Sequence, residues 1–137
     1  MRSAGDPVTV SLDRVSSLIQ RRHEHRASQH GISAAQARLL DVLRDGAPTI
    51  NELAALLATD KSSASGLVDR AAQRGLVRRV PSQLDRRSVR VRLTDRGSAL
   101  QRQVSDVFAG DIEAMLAPLA VGDRDVLASL LNALAAG

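Results

Sequence analysis

The sequence holds no cysteine, no tryptophan and no tyrosine, and Phe108 is its single aromatic residue. Without cysteine there is no disulfide, no thiolate metal ligand, no thiol nucleophile and no cysteine redox sensor. Without a set of aromatic faces there is no stacking platform of the kind RNA and single-strand binders use. Lysine is almost as scarce: of 19 basic residues, 18 are arginine and one is Lys61. No run approaches the 18 apolar residues a membrane-spanning helix needs. Met1 to Pro7 carries no apolar signal core, so a cytoplasmic location is the expectation.

What is present is ordinary for a folded domain. The 137 residues are 44% apolar and 25% charged, and a chain of this length buries roughly 68–70% of its unfolded surface. A core of Leu, Val, Ile and Ala favours helices over a β-sandwich. The net charge of +4 is unevenly placed. Asp60 to Arg92 holds nine bases against three acids, a net of +6. The remainder holds ten bases against twelve acids, a net of −2. A basic block in a slightly acidic chain is either a solvated surface or the footprint of an anionic polymer.

Periodicity orders the chain. Val8, Leu12, Val15, Leu18 and Ile19 predict a helix over Pro7 to Gln29, ended by Gly31. Ser33 caps a helix over Ala34 to Arg44, and Asp45 to Pro48 is a turn. Thr49 with Glu52 three residues on forms a capping box for a helix over Ile50 to Leu57. Thr59 or Asp60 caps a helix over Lys61 to Arg74, with Gly75 at its C′ position. Leu76 to Val80 and Val89 to Leu93 alternate as strands, joined by the basic loop Pro81 to Ser88. Thr94 caps a long helix to Ala117, and Asp123 caps a last helix carrying Val126, Leu127, Leu130, Leu131 and Leu134. The fold expected is mainly α with a small β-hairpin wing, a winged helix-turn-helix. Residues 1–32 and 95–137 flank a DNA-binding unit at 33–94 as dimerisation helices. The apolar stripes of the first and last two helices lie outside the winged-helix core and call for a second copy to cover them.

In the fourth helix, Ala64, Leu67, Val68 and Ala71 point inward, leaving Lys61, Ser62, Ser63, Ser65, Gly66, Asp69, Arg70 and Gln73 outside. This small, polar N-terminal face suits a helix seated between phosphate walls, where hydroxyls and backbone N–H groups meet phosphates and base edges. Capping explains one or two of the serines, not three. At the hairpin tip, Arg86 and Arg87 suit a minor groove, with Asp85 pairing a neighbouring arginine to fix its direction.

The chain resembles the multiple-antibiotic-resistance-regulator (MarR) family of bacterial transcription factors. The resemblance rests on Ser33 to Leu40, Thr49 to Ala54, Asp60 to Arg70, Arg74 to Arg79, Asp85 to Val89 and Leu93 to Gly97, in this order and spacing. It implies a homodimeric, ligand-responsive DNA-binding repressor, not an enzyme, with a pseudo-palindromic operator. It implies reading contacts from Lys61, Ser62, Ser63, Ser65 and Arg70, with Arg74 among the DNA-binding residues, and wing contacts from Arg87 and Arg86. A small anionic or aromatic ligand would sit among Arg22, Arg26, His30 and Arg38. No cofactor and no metal is expected, since His23 and His25 cannot share a helix face. Gly66 stands where a larger, often basic residue is common, and Ser82-Gln83-Leu84 lacks the usual extra charged pair, so a shorter or differently anchored tip is expected. The competing reading is a winged-helix architectural or protein-interaction module that binds DNA without sequence preference.

Overall fold

The computed structural model describes residues 5–85 and 87–137. Six helices and one hairpin follow in the order α1 (Pro7–Gln29), α2 (Ala34–Val42), α3 (Ile50–Leu56), α4 (Lys61–Gln73), β1 (Val77–Pro81), β2 (Val89–Leu93), α5 (Asp95–Leu116) and α6 (Val121–Ala135). The helix starts are set by side chains that satisfy otherwise orphaned N–H groups. Asp6, Ser33, Asp60 and Thr94 each accept from a backbone N–H of the first turn. Thr49 and Glu52 form the full reciprocal box. Gly31 and Gly75 adopt the left-handed conformation just past α1 and α4.

Two local expectations are corrected. Asp123 does not cap α6: the N-cap is Ala120, no side chain caps this end, and Asp123 lies within the first turn, where an acidic group meets the positive helix end. Strand β1 begins one residue later than the alternation predicts. Leu76 is instead a core residue, and its N–H bonds back to Ala71 as α4 ends.

The strands are antiparallel, with Val77 opposite Leu93, Arg78 opposite Arg92 and Pro81 opposite Val89. One continuous core runs through Leu39 and Leu40 of α2, Leu53 of α3, Leu67 and Val68 of α4, and Val77 and Val91 of the hairpin. Ala27 of α1 and Val104 of α5 join it. The stripes of α1 and α5 are therefore not wholly outside the winged-helix core. Each helix enters it along part of its length because α1 and α5 cross behind α2. Beyond that crossing the stripes emerge. Val8, Val10, Leu12 and Val15 of α1 are exposed, and α6 has no buried residue at all. Among the described residues, no helix is long and apolar enough to cross a membrane.

Candidate nucleic-acid interface

Helix α4 starts at Asp60, whose carboxylate accepts from the Ser63 N–H at 2.7 Å and from the Ser63 hydroxyl at 2.9 Å. These bonds hold the Asp60 carboxyl below the ordinary carboxylate range, the Ser63 backbone bond contributing most. One serine is thus bound to the cap. Lys61 and Ser62 remain fully at the surface, while Ser65 and Gly66 are half-buried rather than exposed. The space over Gly66 is used. A Cβ there would stand 3.5 Å from the Arg70 guanidinium, so Arg70 folds back across the position where a larger residue was expected.

The wing tip is held by short polar contacts. Asp85 accepts from the Arg87 N–H at 2.9 Å and from the Ser88 hydroxyl at 3.3 Å. Asp85 thus holds the Arg87 backbone; the expected ion pair with Arg86 lies outside the described residues. Ser82 anchors the loop: it is buried, its N–H bonds the Ser88 carbonyl, and its hydroxyl accepts from the Leu84 N–H. Arg86 lies outside the described residues.

These pieces meet. Lys61 at the start of α4, Arg87 and Ser88 of the wing, and Thr49, Ile50 and Asn51 at the start of α3 line one cleft of about 260 Å³. Two cationic side chains and the starts of α3 and α4 border this cleft, an arrangement that attracts phosphate. Thr49 and Asn51 were not among the candidate residues. The capping box marks where α3 begins, but only the hairpin, paired at Arg90 with Thr49, brings that start against the wing. A further brace joins the hairpin to α4, since Arg79 of β1 donates to Asp69 of α4.

Arg74 does not join this group. It lies at the C-terminal end of α4, and its guanidinium donates to the Gly31 carbonyl at 2.7 Å and to the Gln36 side chain at 3.1 Å. Of the four residues proposed for a ligand, Arg22, Arg26 and His30 follow at four-residue steps along one side of α1, and Arg38 stands apart. Arg26 makes two bonds to Asp111 of α5, at 2.7 and 2.8 Å. These bonds raise the Arg26 pKa and lower that of Asp111. The His30 ring is hydrogen-bonded to the Arg26 carbonyl, and Arg22 is exposed. Arg38 faces elsewhere, into a cleft of about 220 Å³ with Leu57, Ser63, Leu67 and Arg70. Among the described residues no cluster of three metal-ligating side chains occurs. His23 packs edge-on against Phe108 instead, with ring centres 5.0 Å apart.

Residues 30–88 match the model of the MarR family. The chain is 34% identical over 133 residues to the HTH-type transcriptional regulator PecS of Dickeya dadantii, covering 93% of this chain and 80% of PecS. It is 33% identical over 99 residues to the HTH-type transcriptional repressor NicR of Pseudomonas putida, covering 66% of this chain and 63% of NicR. Its structure superposes on that of a mutant E. coli MarR complexed with operator DNA with a TM-score of 0.75 and 28% identity, covering 93% of each chain. With the wing, the reading helix and their shared cleft in place, the chain belongs to the MarR family of winged helix-turn-helix transcriptional regulators.

Proposed function

We propose that the chain acts as a homodimeric repressor that binds a pseudo-palindromic operator and releases it in response to a small anionic or aromatic ligand. The observation that carries the reading is the cleft that holds Lys61 and Arg87 together at the N-termini of α3 and α4. Helix α4 enters the major groove with Lys61, Ser62, Ser63, Ser65 and Arg70 toward DNA, while Arg87, with Arg86 beside it, enters the adjacent minor groove. Arg74 is left to hold α4 against the α1–α2 loop.

Residues 33–94 do the reading and residues 1–32 and 95–137 do the pairing. Support for pairing comes from α6, a helix of 15 residues with none buried. It forms a groove of about 400 Å³ with α1, walled by Val8, Leu12, Val15, Leu127, Leu130 and Leu134. An amphipathic helix is stable by burying its apolar face, and a second copy supplies the cover. Twofold pairing sets the two α4 helices about one DNA turn apart, roughly 34–36 Å. The ligand site supported best is the Arg38–Arg70 cleft, where two cations face an apolar floor of Leu57 and Leu67. The protein acts by binding alone, without a catalytic step, and works where the chromosome is, in the cytoplasm.

Selection from a random DNA pool tests the reading. Recovered duplexes share a twofold-symmetric site bound about 10³-fold or more above scrambled competitor. Arg87→Ala weakens that binding by about 1–3 kcal/mol. Recovery of unrelated sequences with equal affinity would favour the architectural module.

A further inference from the structure

The wing is firmly held by the core only at its base. Val77 and Val91 enter the core, and Arg79 reaches Asp69 of α4. From Val80 to Arg90, Ser82 is the only buried residue among those described. A two-stranded ribbon without apolar cover is marginal by itself, yet this outer part carries Arg87. Something other than the core must set its direction.

Arg90 sits where that support is missing. On β2 it pairs with Val80 of β1 and bridges Thr49 as well, and the next N–H, that of Val91, donates to the Pro48 carbonyl at 2.9 Å. Its half-buried side chain donates to the Ala47 carbonyl at 2.9 Å, stands 3.9 Å from the Glu52 carboxylate and reaches the Ser82 hydroxyl at 3.5 Å. Each partner belongs to a different part of the molecule. Ala47 lies in the turn between α2 and α3, and Glu52 is the acidic half of the capping box that starts α3. Ser82 ties the wing loop through Leu84 and Ser88. One planar guanidinium, with its donors fixed in a fork, thus joins the loop that carries Arg87 to the start of α3. Arg90 lines the hollow of Ala47, Val80, Ser82 and Leu84, and not the cleft of Lys61 and Arg87. We propose that Arg90 is a positioning residue for operator binding: without touching DNA it holds the wing to α3, so that Arg87 enters the minor groove at the spacing α4 requires. This rests on the operator reading given above.

The test compares the operator affinities of the wild type, Arg87→Ala, Arg90→Gln and the double variant. Alone, Arg87→Ala weakens binding by roughly tenfold or more. Arg90→Gln weakens it by a similar factor. On that background Arg87→Ala costs less than about threefold, because a displaced wing has no contact left to lose. Swapping base pairs in a duplex recovered from the random pool gives the second readout. Arg90→Gln loses the preference at the outer base pairs, defined as those that Arg87→Ala no longer discriminates. It keeps the preference at the inner base pairs read by α4. Arg90→Met, which retains an aliphatic stem, behaves the same way. Additive losses make Arg90 an independent DNA contact, loss of preference at both sets of base pairs makes it a general support of the fold, and an unchanged affinity makes it neither. Each of these overturns the proposal and leaves the operator reading standing. A wild type that prefers no duplex overturns both.

Discussion

Gly97 is the tightest point of the molecule. A Cβ there would lie 1.9 Å from the Leu76 carbonyl oxygen, a backbone atom that no rotamer change can move. The same turn is tied by the Thr94 hydroxyl, which donates to the Gly75 carbonyl at 2.6 Å and accepts from the Gly97 N–H at 3.0 Å. The start of α5 is thereby pressed onto the end of α4. Gly97→Ala must push these helices apart and destabilises the fold by about 1–3 kcal/mol, as overpacking does, measured by urea unfolding. A wild-type midpoint in that variant would show that the approach is looser than the backbone spacing requires. Gly66 is a different case, because its open side faces only the flexible end of Arg70. Both glycines fall within the quoted motifs, but the sequence singled out Gly66 alone. Only packing distinguishes one that admits no side chain from one that merely lends space to a neighbour.

At the scale of elements, α4 depends on its cap. The Asp60 carboxylate bonds the N–H and hydroxyl of Ser63, which favours its charged form and lowers its pKa. A group whose folded pKa lies below its unfolded value adds stability that is complete above the ordinary carboxylate range. That contribution fades as pH falls through this range toward the native value. Asp60→Ala therefore lowers the melting temperature by a few degrees at neutral pH, and the gap from the wild type narrows between about pH 5 and pH 2. A gap that persists undiminished at the acid end would mean that the carboxylate charge is not what holds the cap. The cap itself was legible in the sequence, though split between Thr59 and Asp60. What the sequence hid was the consequence for Ser63: its hydroxyl donates to Asp60 and is part of the cap.

For the whole molecule, the decisive feature is apolar surface that the single chain leaves uncovered. Leu130 is 59% exposed and Leu134 is 64% exposed on a helix that buries nothing. Scattered exposed leucines need no explanation, but a continuous groove shared by α1 and α6 does. Leu130→Glu/Leu134→Glu gives a species of one-chain mass in sedimentation equilibrium, and its operator affinity falls because one half-site no longer delivers the other. A variant that still sediments at two-chain mass would place the pairing surface elsewhere. The bidentate Arg26–Asp111 contact is part of the same framework, since it fixes α1 to α5 where both leave the core.

The sequence by itself determined the elements and their order. Helix and strand periods, the serine, threonine and aspartate caps and the two left-handed glycines are local physics, and they act between residues a few positions apart. Chain position also made the basic block visible. Tertiary structure decided which arginines are available. Along the chain Arg74 reads as a DNA contact and Arg26 as a ligand contact, yet the one bonds the α1–α2 loop and the other Asp111. Arg38 and Arg70 lie on separate helices and share a cleft. Asn51 joined the site only because the hairpin folds back onto the start of α3. A guanidinium's role depends on which acceptor lies within hydrogen-bonding distance, and distances between residues remote in sequence are set by the packing of the core.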